Sequence, residues 1–569
     1  MNISLVKFQS VVILSTASLA TLAISPGFAY DPINLPKMII VVTGASILFI
    51  PLLRNYLELL KSNSLFTLST LFLSLTMIIA FFTNSAPLSQ QLWGVWGRST
   101  GLLTYLSFIV CMLSAALLTS QADSPAIRQT FERLSYFITF YTLMQAGDID
   151  PINWSQKLMV ATLGNLNFMS SFLGLASISL FARLVLEKLS ITAKFHYFIF
   201  VALNLFLIWL SGSIQGLGVF AIGMCFTLAI LIRIKRDFRQ SLFFLLTVSP
   251  IGLLTFLGAA GIGPLSVLRQ ETVIYRRDYW VAGIRMTQDN WFNGIGIDSY
   301  GDYYERYRDL AAVVRTGPQR VTNTAHNIFL DVSSGAGVFA LLTFSLIFLL
   351  TSLAALKLIK SGDLGVTDSA MIGMFFGFIF FCLISINQIG VGIWGFVFMG
   401  AIQGSASRLR SGSSKLQPDL MDRKNKLAKQ IPSTGNMGLG LKLSSLFLGI
   451  GGLAISAIPS ITDAQMLSAV KARNFDSMLQ VASKFSATTF HKNKYQTLLL
   501  DEGKIQEAYE FALEEFDRNP RNDISLRIIA STDSAPRNLR IKALELLIER
   551  DPNNAEFLSY ARSLLKSLN

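Results

Sequence analysis

Histidine and cysteine are rare in this chain, with three of each among 569 residues. Cys111, Cys225 and Cys382 all fall within strongly apolar segments, so no pair remains for a disulfide framework in a polar domain. The usual zinc-site spacings need more histidine and cysteine than this chain has. We therefore predict that the protein has no metal site and uses no cofactor.

Lysine is missing from one long stretch, since none occurs between Lys235 and Lys357. Inside that stretch the polar segment 261–335, called here the polar loop, holds eight arginines and eight acidic residues. Arginine presents a planar fork that binds phosphate through two N–H groups at once, whereas lysine offers only a point charge. The pattern indicates a geometric requirement, such as phosphate binding, rather than a need for positive charge alone.

Charged residues make up only 15% of the chain and hydrophobic residues 52%, which excludes an ordinary soluble globular protein. The apolar runs approach the roughly 20 residues that a membrane-spanning helix needs, and in hydrocarbon such segments must be helical to pair their backbone groups. The predicted fold class is all-α: a polytopic membrane protein of about 12–13 transmembrane helices, with a large external loop and a C-terminal soluble helical domain. The predicted spans are about 8–29, 37–53, 64–83, 101–120, 131–146, 163–185, 195–212, 216–232, 240–260, 336–356, 368–388, 391–405 and 441–459.

The basic residues favour alternate connections between these runs, as cytoplasmic loops do under the positive-inside rule. This bias predicts a cytoplasmic N-terminus and an external polar loop and C-terminus. It also accounts for the net charge of +13 through topology and contact with membrane lipid, so we predict no nucleic-acid partner. The first run, which follows Lys7, fits an uncleaved first helix or a cleaved signal peptide.

The chain divides into four predicted parts. Residues 1–405 form the membrane domain, 406–440 a basic cytoplasmic linker and 441–461 a final transmembrane helix, whose apolar run 441–459 ends at Pro459. Residues 462–569, called here the tail, form a helical domain. The segments 503–520 and 543–554, the latter ending in Asp551-Pro552-Asn553-Asn554, resemble parts of tetratricopeptide repeats. An ordinary α-helical domain is the alternative, and a protein partner of the tail is a further expectation.

His326 is the histidine with the most suggestive surroundings, because it lies in the phrase Thr-Ala-His-Asn between the polar loop and an apolar run. A neutral imidazole there can accept a proton from a hydroxyl. The alternative is a histidine that merely caps or hydrogen-bonds the loop. The polar loop adds candidate phosphate- and sugar-binding side chains, for which the alternative is ion pairing with the eight acids: Arg276, Arg277, Trp280, Arg285, Tyr300, Arg306 and Arg308.

Three shorter polar clusters fall on the same predicted side as His326. They are the segments 94–101, 164–168 and 211–216, and they contain the candidate residues Arg98, Asn165 and Gln215. Helix N-termini at such places attract anions, although each cluster alone is better explained as a capped interhelical turn. Their convergence with His326 on one membrane face favours a common site.

These elements together resemble the O-antigen ligase and O-antigen polymerase superfamily of bacterial membrane glycosyltransferases. The resemblance covers about residues 90–400 and rests on Gly97-Arg98-Ser99-Thr100-Gly101, Gly164-Asn165-Leu166-Asn167, the 211–216 turn, Arg276-x-x-Tyr279-Trp280, Gly294-Ile295-Gly296 and Ala325-His326-Asn327 through Gly335 and Gly337. One departure is Ile214, where the family often has an arginine.

The resemblance implies transfer of a glycan from an undecaprenyl-diphosphate carrier to an acceptor, without a metal, at the periplasmic face of the bacterial inner membrane. His326 would be the general base, and Arg276 or Arg277 would bind the diphosphate. Arg98, Arg285, Arg306 and Arg308 are weaker candidates for the same role. The acceptor would be lipid A-core, another glycan or a protein, so a ligase and a polymerase both fit. Alternatives from other classes are a small-solute or inorganic-carbon transporter and a structural assembly protein.

Overall fold

The computed structural model describes residues 3–121, 125–152, 154, 158–362, 364–410 and 439–568. Apart from one 3₁₀ turn, Ser266–Leu268, all the regular secondary structure within these residues is α-helical, which confirms the predicted fold class. The helices are α1 (Ile3–Leu22), α2 (Asn34–Ser62), α3 (Ser64–Thr83), α4 (Leu88–Trp93), α5 (Leu102–Gln121), α6 (Pro125–Ala146), α7 (Leu166–Leu186), α8 (Ile191–Leu210), α9 (Gln215–Lys235), α10 (Phe238–Ala259), α11 (Glu271–Asp289), α12 (Tyr300–Tyr307), α13 (Leu310–Thr316), α14 (Ile328–Ser361), α15 (Val366–Ile384), α16 (Ile389–Arg410), α17 (Leu439–Lys471), α18 (Phe475–Ala482), α19 (Thr489–Asp501), α20 (Ile505–Arg518), α21 (Asp523–Ser531), α22 (Arg537–Arg550) and α23 (Ala555–Leu568).

Twelve of the described helices are long and apolar enough to cross a membrane, so the protein is a multi-pass membrane protein. The predicted span 131–146 lies in α6, which is not among the twelve because it carries charged residues. Two of these form a buried ion pair, Arg128 with Glu132 at 2.7 Å. Ser179, near the end of α7, donates to Glu132, and Gln145, near the end of α6, accepts from the N–H of Ala161 just before α7. Helix α6 therefore runs antiparallel to α7 along its length.

Small residues let the central helices approach each other closely, as is common in membrane bundles. The apolar part of α16 is fully buried. A Cβ at Gly400 of this helix would lie 1.9 Å from the carbonyl oxygen of Met112 in α5. A Cβ at Gly452 of α17 would similarly lie 2.3 Å from Ser46 Oγ of α2. The last apolar helix is thus packed into the bundle rather than attached loosely.

Helix α17 is longer than the sequence predicts, and the expectation that it ends at Pro459 is wrong. The helix continues through Pro459 to Lys471. A proline removes one helical hydrogen bond, but the helix is fixed one turn later by Asp463, which is fully buried and accepts from the N–H of Asp31 at 2.8 Å. The predicted linker 406–440 falls mostly on residues 411–438, which lie outside the described residues; the end of α16 and the start of α17 occupy the remainder.

A buried lysine joins the first two helices. The Lys37 ammonium, in the first turn of α2, donates to the carbonyls of Ala20, Thr21 and Ala23 at 3.1, 2.7 and 3.0 Å. These carbonyls belong to the end of α1 and the residue after it, where helical C=O groups lack partners along the chain and attract cations. Lys37 therefore caps α1 from a neighbouring helix.

The polar loop folds into α11, α12 and α13 over one end of the bundle. A kink at Gly337 in α14, where φ is +85°, opens the helix backbone to the loop. The N–H groups of Ile295 and Val338 bond across this kink to the carbonyls of Ser334 and Trp291 at 2.8 and 2.7 Å. A Cβ at Gly337 would lie 2.2 Å from the carbonyl oxygen of Phe292, so the junction requires glycine. The tail lies at the same end and contacts the loop through Arg521 and through residues 549–553, at and after the end of α22.

Candidate functional site

His326 lies at the junction between the polar loop and α14. Its φ of +51° is in the left-handed region, which is uncommon for a residue with a side chain. The turn is held by Asp331, whose carboxylate accepts from the N–H of Ala325 at 2.8 Å and from Thr324 Oγ1 at 2.6 Å. The next residue, Asn327, caps α14 through its side chain. Local hydrogen bonds thus fix the backbone at His326.

The His326 ring is half-buried, and within the described residues neither of its nitrogens has a hydrogen-bond partner. Its centroid lies 5.5 Å from that of Tyr279. Burial and the positive charges of Arg276 and Arg98 lower the pKa of the imidazole from 6.5 to about 3. The ring is therefore neutral at neutral pH, and one of its nitrogens has a free lone pair. This is the protonation state that a general base requires.

Arg276 places a buried positive charge beside this ring. Its side chain, on α11, is 8% exposed, and among the described residues no carboxylate lies within ion-pair distance of it. One N–H donates to Gln215 Oε1 at 3.2 Å. Burial lowers the pKa of Arg276 to about 10, against a smaller raising effect of Tyr279, so the group stays charged at neutral pH. A buried cation without a counter-ion is a site for an anion.

Gln215 is held at the start of α9 by a network of hydroxyl groups. Its Nε2 donates to Ser171 Oγ of α7 at 2.9 Å, while Ser213 Oγ donates to Asn167 Oδ1 at 2.8 Å. The predicted clusters 164–168 and 211–216 therefore meet beneath Arg276. Asn165 itself is exposed and caps α7 through the N–H of Asn167.

Arg98 anchors the other side of the site. Its guanidinium is buried, donates to the carbonyl of Asn323 at 2.7 Å and lies 3.3 Å from Asp298 and 3.6 Å from Asp331. Because both carboxylates offset its charge, Arg98 is better suited than Arg276 to positioning the chain. Asp298 in turn accepts from the N–H of Val95 at 2.8 Å. The 94–101 cluster is thereby joined to the polar loop.

Aromatic rings form the wall next to His326. Tyr300 is buried, and its hydroxyl donates to the carbonyl of Tyr279 at 2.6 Å. Tyr304 packs edge-on against Tyr279 with centroids 5.6 Å apart. Trp280, next to Tyr279 in α11, stacks on Phe256 of α10, and its buried indole N–H has no hydrogen-bond partner in the described part of the chain. The wall therefore presents flat apolar faces with an unpaired donor, which suits a sugar ring or its phosphate.

The remaining predicted arginines lie away from this group. Arg277 is exposed on α11, and Arg285 pairs with Asp309. Arg306 pairs with Glu549 of the tail, and Arg308 is buried against Asp551 of the tail at 2.8 Å. The last three have carboxylate partners, as the alternative interpretation of the loop expects.

Sequence reasoning missed Tyr279, Asp298, Asp331 and Asp551. Tyr279 stands in the Arg276-x-x-Tyr279-Trp280 motif, but nothing in the spacing indicates that its ring faces His326. The two loop aspartates could have been found by asking which of the eight acids balance arginines at the site. Asp551 belongs to the tail, and its partner is more than 200 residues away. Among the described residues, no group of three or more His, Cys, Asp or Glu is placed to hold a metal ion.

The fold and the site define a polytopic helical membrane protein with an arginine–histidine centre at one end of its spanning helices. Residues 198–345 match the O-antigen ligase family model. The match confirms the resemblance to the O-antigen ligase superfamily over this segment. The matched segment contains Gln215, Arg276 and His326, whereas Arg98 and Asn165 lie before it. No curated protein matches the chain.

Proposed function

We propose that this protein transfers a glycan from an undecaprenyl-diphosphate carrier to an acceptor hydroxyl at the periplasmic face of the bacterial inner membrane. The observation that carries the proposal concerns two neighbouring groups, judged among the described residues. Arg276 is a buried guanidinium with no carboxylate within ion-pair distance, and His326 is a neutral imidazole whose nitrogens have no hydrogen-bond partner. An anion and a hydroxyl are the two groups that such a pair can accept. The match to the O-antigen ligase family supports the same reaction class.

In the proposed reaction His326 removes the proton from the acceptor hydroxyl. The acceptor oxygen forms a bond to the anomeric carbon of the donor sugar as the bond from that carbon to the diphosphate oxygen breaks. The electron pair of the broken bond leaves on undecaprenyl diphosphate, and Arg276 stabilises the added negative charge. These steps need only the imidazole and guanidinium groups of this chain and the two substrates.

Donor binding would also strengthen the base. In the free protein the pKa of His326 is about 3 because of burial and of the nearby guanidinium charges. A diphosphate beside Arg276 offsets that positive charge and so favours the protonated imidazole. The imidazole would become an effective proton acceptor only when the leaving group is in place, which limits wasteful hydrolysis.

The position of the site suits a lipid-linked donor. Arg276 and His326 lie just beyond the ends of spanning helices, since α10 ends at Ala259 and α14 begins at Ile328. That is the depth of lipid headgroups. A diphosphate can reach Arg276 there while its polyprenyl chain stays in the bilayer.

The test is a deletion strain whose surface polysaccharide is analysed on gels, together with the purified protein incubated with a synthetic undecaprenyl-diphosphate glycan. Accumulation of lipid-linked polymer without capped lipid supports the ligase, and single repeat units alone indicate the polymerase. Unchanged polysaccharide in the strain, with no glycan transfer by the purified protein, contradicts both.

The proposed sidedness has its own test. The three native cysteines lie in spanning helices, so cysteines introduced at exposed positions can be labelled selectively in the Cys-free background. A membrane-impermeant thiol reagent added to intact spheroplasts should label Arg277→Cys on α11 and leave Lys194→Cys, at the opposite end of the bundle, unlabelled. The reverse pattern contradicts a periplasmic site.

A further inference from the structure

The Asp551-Pro552-Asn553-Asn554 turn of the tail contacts the polar loop rather than serving only to end a tail helix. Asp551 follows α22, is 6% exposed and accepts a hydrogen bond from Arg308 Nη2 at 2.8 Å. Asn553 Nδ2 donates to the carbonyl of Arg308 at 2.7 Å. Both contacts converge on one residue of the loop.

Arg308 is 1% exposed and joins three segments of the chain. Besides Asp551, its guanidinium donates to the carbonyls of Pro318 and Arg320 at 2.9 and 3.1 Å. These carbonyls belong to the stretch of the polar loop that leads to His326. A buried guanidinium that lost Asp551 would have no carboxylate within ion-pair distance among the described residues, which is a costly state.

A second route runs from the tail to His326 through α12. Arg550 pairs with Glu305 at 2.9 Å and donates to the carbonyl of Asp302 at 3.3 Å. The opposite face of α12 carries Tyr300 and Tyr304, which hold Tyr279 against the His326 ring. The tail therefore contacts the side of α12 that faces away from Tyr279 and helps to hold the tyrosine rings beside His326.

The tail also holds the segment that carries Arg98. Trp96 donates from its indole N–H to Asp463 at 3.1 Å, and its ring stacks on Phe490 with centroids 3.9 Å apart and planes 6° from parallel. His491 Nδ1 accepts from the N–H of Thr488, so its Nε2 donates to the same carboxylate at 2.8 Å. Both walls of the site are thus attached to the tail.

We propose that the tail helps to position the site. Asp551 acts through Arg308 as a positioning residue for His326. This role rests on the proposed glycan transfer. The buried Asp551–Arg308 pair transmits the position of the tail to the loop, whereas the exposed Glu549–Arg306 pair contributes little, as exposed pairs generally do.

The experiment compares Asp551→Asn with Glu514→Gln, a carboxylate whose exposed ion pair with Arg518 lies wholly within the tail. Glycan transfer by the full-length protein is measured as kcat and KM for the donor. Asp551→Asn should lower kcat at least tenfold and change the donor KM less than threefold, because Arg276 is untouched. Glu514→Gln should change neither more than twofold. Equal kcat values for the two variants overturn the proposal.

A cycle with His326→Gln separates positioning from general destabilisation. If Asp551 acts through the imidazole, adding Asp551→Asn to His326→Gln should not lower the residual rate further. Independent, multiplying losses contradict the proposal. If Asp551→Asn does not accumulate in membranes, Asn553→Ala provides the milder change, with an expected loss of about threefold in kcat and no loss in the His326→Gln background.

Cross-linking tests the contact without relying on activity. In membranes of a Cys-free full-length chain, Glu305→Cys with Arg550→Cys should be joined by a bifunctional thiol reagent about as long as the two side chains that it replaces, because a direct disulfide needs a shorter separation. Glu305→Cys with Glu514→Cys should not be joined. Failure of the first pair overturns the docking of the tail. A chain that cross-links but transfers no glycan contradicts the proposed function and the positioning role with it. Transfer that is insensitive to Asp551 contradicts the positioning role alone.

Discussion

Arg98 donates a hydrogen bond to the main-chain carbonyl of Asn323 at 2.7 Å, three residues before His326. The same guanidinium lies between Asp298 of the polar loop and Asp331 in the first turn of α14. One planar cation thus fixes the backbone on both sides of the candidate base.

Arg98→Lys should therefore destabilise the site although it keeps the charge. An ammonium is too compact to bridge a carbonyl and two separate carboxylates, and a buried pair that loses its geometry costs about 3 kcal/mol. We expect a lower thermal midpoint of the purified protein and a large loss of transfer. Retention of both would show that charge alone suffices at this position.

His326→Gln should abolish most of the transfer activity while leaving the fold intact. The amide has a similar shape but cannot accept a proton, and the loss of a general base typically lowers the rate by about 10²–10⁴-fold. The measurement is kcat with a synthetic lipid-linked donor, at matched membrane levels. His196→Gln is the control, since His196 is exposed and bonds to Tyr136 at 3.1 Å, far from the site. Full activity of His326→Gln would eliminate the proposed base.

Arg276→Lys tests the diphosphate site. Lysine keeps a positive charge but loses the two-pronged contact, so the donor KM should rise and kcat should fall, together by about 1.5–3 kcal/mol of transition-state binding. Arg269→Lys, an exposed position just before α11, should behave like the unmodified protein. Arg277→Lys resolves the choice that the sequence left open, because only the buried arginine should be sensitive.

The pH dependence follows from the lowered pKa of His326. In the free protein the imidazole, with a pKa of about 3, is already deprotonated across about pH 5–8, so kcat/KM should show no acid limb near 6.5 from this group. Bound diphosphate raises the pKa of the ring, so kcat should begin to fall at a higher pH than kcat/KM as the solution is acidified. An acid limb of kcat/KM centred near 6.5 would indicate a solvated histidine instead.

Much of the fold follows from the sequence because apolar runs must be helical in a membrane. Hydropathy alone does not describe α6, whose buried Glu132 pairs with Arg128 in the same helix and with Arg183 on α7. Ser179 on α7 also donates a hydrogen bond to this carboxylate. The end of α17 is another exception. Its helix crosses Pro459 because Asp463 is fixed by partners that are more than 300 residues away or in the following helices, and no local signal reveals those contacts.

The site shows the same division. His326, Arg276 and Gln215 stand in short motifs, so residue type and order were sufficient to single them out. The sequence does not reveal which side chains are buried or paired. Arg276 and Arg277 are equivalent in the sequence, and they differ only because they lie on different faces of α11, one buried and one exposed. Likewise, Arg308 resembles a ligand-binding residue until its partner in the tail, Asp551, is placed beside it.

The capping of α1 by Lys37 has a consequence for the integrity of the protein. If a protease cut the connection between the first two helices, the amino-terminal fragment would still provide three carbonyl oxygens to the buried ammonium of Lys37. Thr21 would also still accept from the Trp394 indole at 3.0 Å. The severed piece should therefore co-purify with the remainder in mild detergent and separate from it only on denaturation.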